Sequence, residues 1–154
     1  MPQVCPPRPP ATVLDTNVVL DWLVFRDPGI VAIAAAVADG RLRWLATARM
    51  RAELAAVLAR ATLSRWTSDT AAALAGFDRH AAIRPPPPPA PLLCTDPDDQ
   101  DFVDLALAER ADWLVTRDHA LLALARRARP LGVKVVRPAH WRPAADRQSP
   151  PPTV

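Results

Sequence analysis

Four short apolar runs constrain what this chain can fold into: "TVLD" (12–15), "RLRWLAT" (41–47), "DWLVT" (112–116) and "VKVV" (133–136). Each is too short for a helix and reads as a short strand. Between them lie stretches rich in Ala, Leu, Arg and Glu, the residues that cost least in a helix. Helices are expected over 17–25, 28–39, 48–61, 68–83, 98–111 and 118–128. Pro28 suits a first helical turn, and Ser68 or Asp69 suits the cap of the fourth helix. Buried strands alternating with helices make an α/β fold, a central parallel sheet with helices on both faces.

Proline divides the rest. "IRPPPPPAPLLCTDPDD" (83–99) cannot be a helix or a central strand and reads as a stiff surface connection. Residues 1–11 and 142–154 are Pro-rich with little to bury, so both read as dispensable disordered tails around one domain of 12–141. No apolar run approaches the roughly 20 residues of a membrane span, and the first residues lack the apolar centre of a signal peptide. Cys5 and Cys94 lack paired metal or redox spacing, which fits reduced thiols in the cytoplasm. The net charge is +3, and the cations are nearly all Arg, suited to an anionic partner. No Gly-rich phosphate loop and no serine in a nucleophile elbow is present. Trp22, Trp44 and Trp113 sit in apolar segments and belong to the core, while Trp66 and Trp141 are expected to be more exposed.

Two of the strand segments end on an acid, "TVLD" on Asp15 and "WLVTRD" on Asp118. Either acid alone makes a good helix cap. Together they lie where open parallel sheets place ligands, beyond the carboxyl ends of the strands. Glu53 borders the apolar stripe of Met50, Leu54 and Val57, where a surface ion pair with Arg49 or Arg60 would also account for it. Asp99 stands near the centre of the stripe made by Phe102, Val103 and Ala106, with Asp101 and Asp104 turning towards solvent and Asp98 at the edge as a cap. Four carboxylates in one crevice repel one another unless divalent cations neutralise them, and Mg²⁺ and Mn²⁺ prefer such hard oxygen ligands. That combination suits phosphodiester hydrolysis. Thr16 and Asn17 supply polar groups beside Asp15, and Arg49 and Arg117 are candidates to hold a nucleic-acid backbone.

"VLDTNVVLDWL" (13–23), "ARMRAELAAVLAR" (48–60), "TDPDDQDFVDLALAERADWLVTRDHALL" (95–122) and "LGVKVVRPAHW" (131–141), in this order, resemble the PIN-domain family, in particular its toxins of toxin–antitoxin systems. The resemblance implies a three-layer α/β/α sandwich and a Mg²⁺- or Mn²⁺-dependent endoribonuclease. It carries the acidic positions onto Asp15, Glu53, Asp99 and Asp118 and the polar helper positions onto Asn17 and Thr116. The implied products are a 5′-phosphate and a 3′-hydroxyl, and the implied partners are an RNA substrate and a cognate antitoxin, with a homodimer left open. Two other readings compete. A haloacid-dehalogenase-like phosphohydrolase would use Asp15 as nucleophile, but expects a second Asp where Asn17 stands. A non-catalytic module would bind RNA or a protein through a relic of the site.

Overall fold

The computed structural model of the chain describes residues 8–60 and 70–143. Among the described residues the sheet has five strands: β1 (Ala11–Leu14), β2 (Arg43–Ala46), β3 (Ala81–Ile83), β4 (Trp113–Val115) and β5 (Lys134–Val136). All neighbours are parallel, in the order β3-β2-β1-β4-β5. β1 is central, with every residue buried, and its register sets Thr12 beside both Trp44 and Trp113. A strand covered on both faces needs this kind of unbroken apolar run. Seven α-helices accompany the sheet among the described residues: α1 (Thr16–Leu23), α2 (Val31–Ala38), α3 (Ala48–Ala59), α4 (Thr70–His80), α5 (Gln100–Ala108), α6 (His119–Leu122) and α7 (Ala125–Ala128). The chain is an α/β fold built on a central parallel sheet, as expected.

The helices α1, α3 and α4 pack together, and α5 packs against β1 and β4. Trp44 of β2 anchors the first group, with ring centroids 5.3 Å from Trp22 and 4.9 Å from Phe77. Gly76 lets α4 come close to α1, since a Cβ there would lie 2.9 Å from Leu23 Cδ2. The polyproline segment is tied down by Asp104, which accepts from the Ala90 N–H at 2.9 Å and from Gln100 Nε2 at 2.8 Å.

Several boundaries differ from expectation. Residues 81–83, read as the end of a helix, form the edge strand β3, because pairing to β2 outweighs the helical preference of two alanines. The helix expected over 118–128 breaks at Ala123 into α6 and α7. The one expected over 98–111 opens with a 3-10 turn, Pro97–Asp99, before α5. The first strand begins at Ala11, which is buried, and the carbonyls of Pro9 and Pro10 accept from Arg43. Trp141, expected to be more exposed, is buried and stacks edge-on to Trp113 with centroids 5.6 Å apart. Asp104 does not face solvent, since its carboxylate holds the proline segment. Cys5, Trp66, the Ser68 and Asp69 caps, residues 1–7 and residues 144–154 lie outside the described residues.

Candidate metal centre

The strand order places a topological switch between β1 and β4. From β1 the chain winds outward through β2 to β3, then returns to β4 on the other side and winds out to β5. The connections leave in opposite directions there and open a crevice at the carboxyl ends of the strands. Asp15 follows β1 at that point, and Thr116 and Asp118 follow β4.

Asp15 is buried and both of its oxygens are engaged. Oδ1 accepts from the Val18 N–H at 2.8 Å, capping α1, and Oδ2 accepts from the Thr116 hydroxyl. Burial raises its pKa. The bonds from Thr116 and Val18 oppose that, and the nearby carboxylates of Asp118 and Asp21 add to it. Thr116 is fully buried and links the two strand ends, because its Oγ1 also accepts from the Asp118 N–H at 2.9 Å. Asp118 in turn caps α6, where its Oδ1 accepts from Ala120 N at 2.8 Å and Leu121 N at 3.3 Å. Both strand-end acids are therefore caps and crevice residues at once.

Asp99 closes the crevice from the start of α5. One carboxylate oxygen from each of Asp96, Asp99 and Asp118 lies within 4.8 Å of the others. Asp99 Oδ2 is buried and has no hydrogen-bond partner. Burial, then the carboxylates of Asp118 and Asp96, push the Asp99 pKa up to about 7. An oxygen withdrawn from water, without a donor and among other acids, is unfavourable unless a proton or a cation meets it. Hard divalent cations take carboxylate oxygens of this kind, so the residues fit such a group.

The other expected site residues are placed differently. Glu53 is exposed on α3, and its Oε2 accepts from the Thr16 hydroxyl at 3.3 Å, which sets it on the rim near β1 and outside the three-acid cluster. Neither Arg49 nor Arg60 pairs with it among the described residues; Arg49 pairs with Asp101 at 3.2 Å instead. Asn17 is exposed. Arg117 is held by Asp27 at 3.0 Å and by Asp21 at 2.8 Å, the latter an ion pair without hydrogen-bond alignment. Neither Arg49 nor Arg117 is thus a free cation. Asp96 was missed. Its side chain caps the turn by accepting from the Asp98 N–H at 3.0 Å, and the Asp96-Pro97 pair was the available signal.

A family model described as PIN domain matches residues 11–120, which include Asp15, Glu53, Asp96, Asp99, Thr116 and Asp118. The chain belongs to the PIN-domain family. PIN domains are generally metal-dependent nucleases, and the three-acid cluster of this PIN domain is of the kind that holds a metal ion. No curated protein matches the chain. No helix among the described residues of this PIN domain is long and apolar enough to cross a membrane.

Proposed function

We propose that this PIN domain is a Mg²⁺- or Mn²⁺-dependent endoribonuclease and the toxin of a toxin–antitoxin pair acting in the cytoplasm. The observation that carries the nuclease reading is the convergence of Asp96, Asp99 and Asp118 on one point, with Asp99 Oδ2 buried and unpartnered. The toxin role rests on the order of motifs from 13–23 to 131–141.

Asp99 and Asp118, with Asp96, would hold the cation. When bound, it supplies positive charge to a phosphate in attack and lowers the pKa of water. Asp15 acts from behind this group. Its Thr116 bond fixes the hydroxyl that receives the Asp118 N–H, so the two strand ends keep one spacing. Glu53, which accepts from Thr16 next to Asp15, would take a proton from water or bind a second cation. The covalent alternative is disfavoured by the burial of Asp15 and by the engagement of both its oxygens.

Purified protein should cut single-stranded RNA with Mn²⁺ or Mg²⁺ and stop when chelator is added. Asp99→Asn, which removes a carboxylate of the three-acid cluster, should lower the rate by at least about 100-fold, the scale of removing one positioned catalytic group. Cleavage by that variant at the wild-type rate would sink the assignment. Expression of the wild type, but not of Asp99→Asn, should arrest cell growth.

A further inference from the structure

Charge is distributed unevenly along this chain. From residue 119 to residue 143 there is no acid, while Arg126, Arg127, Arg129, Lys134, Arg137 and Arg142 supply six cations. The arginines nearest the acidic crevice are neutralised: Arg49 pairs with Asp101, and Arg117 with Asp21 and Asp27. No ion pair engages Arg126, Arg129, Lys134 or Arg137 among the described residues, and all four are exposed.

Three of these cations share one place. Arg126 and Arg129 on one side, and Lys134 with Val135 and Val136 on the other, line a groove of about 420 Å³. It runs along β5, the edge strand, between that strand and α7. Lys134 N donates to Asp112 O at 3.0 Å, and Val136 O accepts from Thr116 N at 2.9 Å, so residues 134 and 136 turn their backbone groups towards β4. Backbone groups alternate sides along a strand, and those of Val135 therefore face the open edge. Arg137 continues the positive track to the carboxyl end of β5, the end at which Thr116 and Asp118 leave β4. Adjacent strands lie about 4.8 Å apart, so this track begins one strand outboard of the acids.

We propose that the groove between α7 and the edge of β5 docks the phosphate backbone of a nucleic-acid strand whose neighbouring segment lies over the acidic crevice. The proposal rests on the nuclease reading of those acids for its orientation, but not for the binding itself. The groove lies beyond residues 11–120, outside the segment that the family model matches. The acids alone repel a polyanion, and the arginines beside them are occupied by carboxylates. Unpaired cations one strand away supply the attraction the crevice lacks. Phosphate contacts of this kind hold a strand in place without selecting sequence. An extended acidic peptide adding to β5 is less favoured, because this strand has three residues and ends next to the Arg137-Pro138 pair, and the cations extend past it.

The test uses the full chain and a labelled 20-nucleotide single-stranded RNA. Binding is measured in chelator, and cleavage of the 20-mer and of a dinucleotide is measured in Mn²⁺. The triple variant Arg126→Gln, Arg129→Gln, Lys134→Gln should bind at least about tenfold more weakly. Its slope of log affinity against log salt should be shallower by about 2, at roughly 0.7 per single-strand phosphate contact. KM for the 20-mer should rise with kcat unchanged, and dinucleotide cleavage should not change. A control of equal charge, Arg41→Gln, Arg60→Gln, Arg79→Gln, on elements flanking β2 and β3 at the opposite side of the sheet, should stay within about twofold of wild type. The proposal is overturned if the groove variant binds like the control, if wild type binds no RNA at low salt, or if polyglutamate binds the groove more tightly than RNA does. Groove-dependent binding without cleavage by wild type would instead uphold the groove and refute the nuclease reading.

Discussion

Asp99 concentrates the chemistry of the crevice in one side chain. Its pKa stands at about 7 in the folded chain against 3.8 for the unperturbed group, chiefly through burial and then through Asp118 and Asp96. The folded, metal-free protein therefore holds a proton between those values that the unfolded chain has released. Its stability should fall as pH rises from about 4 through 7. Thermal melts in chelator should show a midpoint a few degrees lower at pH 8 than at pH 5.5, and saturating Mn²⁺ should reverse the difference at pH 8. Asp99→Asn should flatten that pH dependence and abolish both metal binding and cleavage. A variant that keeps the wild-type slope would place the titrating group elsewhere. Asp101→Asn, which loosens the ion pair with Arg49, should leave metal binding nearly intact.

At the scale of elements, the crevice depends on how strand ends and helix starts are joined. Thr116→Val keeps the shape of the β4 end but removes the hydroxyl that donates to Asp15 and accepts from the Asp118 N–H. Leaving buried groups unpaired costs roughly 1–3 kcal/mol, so the melting point should drop and cleavage should fall with it. Asp104→Ala should also destabilise the chain by about 1–2 kcal/mol, by releasing the Ala90 N–H and Gln100 Nε2. Unlike Asp99→Asn, it should not change metal affinity in a titration. Sequence made Asp15 and Asp118 legible because apolar runs stop on them, and it made Asp99 legible through its place in the Phe102–Val103–Ala106 stripe. It hid Asp96, whose proline-flanked position resembles an ordinary cap, and it misplaced Asp104, since nothing local reveals that a proline segment returns to it. It hid β3 for a similar reason: "AAI" continues a helical pattern and becomes strand only because β2 offers an edge.

For the molecule as a whole, the parallel order β3-β2-β1-β4-β5 brings acids from residues 15, 96, 99 and 118 to one end of the sheet. Sequence spacing alone cannot set that convergence, because it depends on a return across β1 after about 100 residues. The same frame defines how much chain the domain needs. Arg43 donates its Nε to Pro9 O at 3.0 Å and its backbone N–H to Pro10 O at 2.8 Å, which locks the entry to β1 onto the start of β2. At the other end Trp141 is buried against Trp113. A chain trimmed to residues 8–143 should therefore melt and cleave like the full-length protein. Trimming the amino end to residue 11 removes both carbonyl acceptors and should cost about 1–2 kcal/mol, and ending the chain at residue 140 removes the Trp141 side chain and should cost about 3 kcal/mol or more. Differential scanning calorimetry on the three truncations separates the cases. A midpoint for residues 8–143 that falls as far as the shorter chains' would show that a terminal segment packs on the domain, and would move the boundary outward.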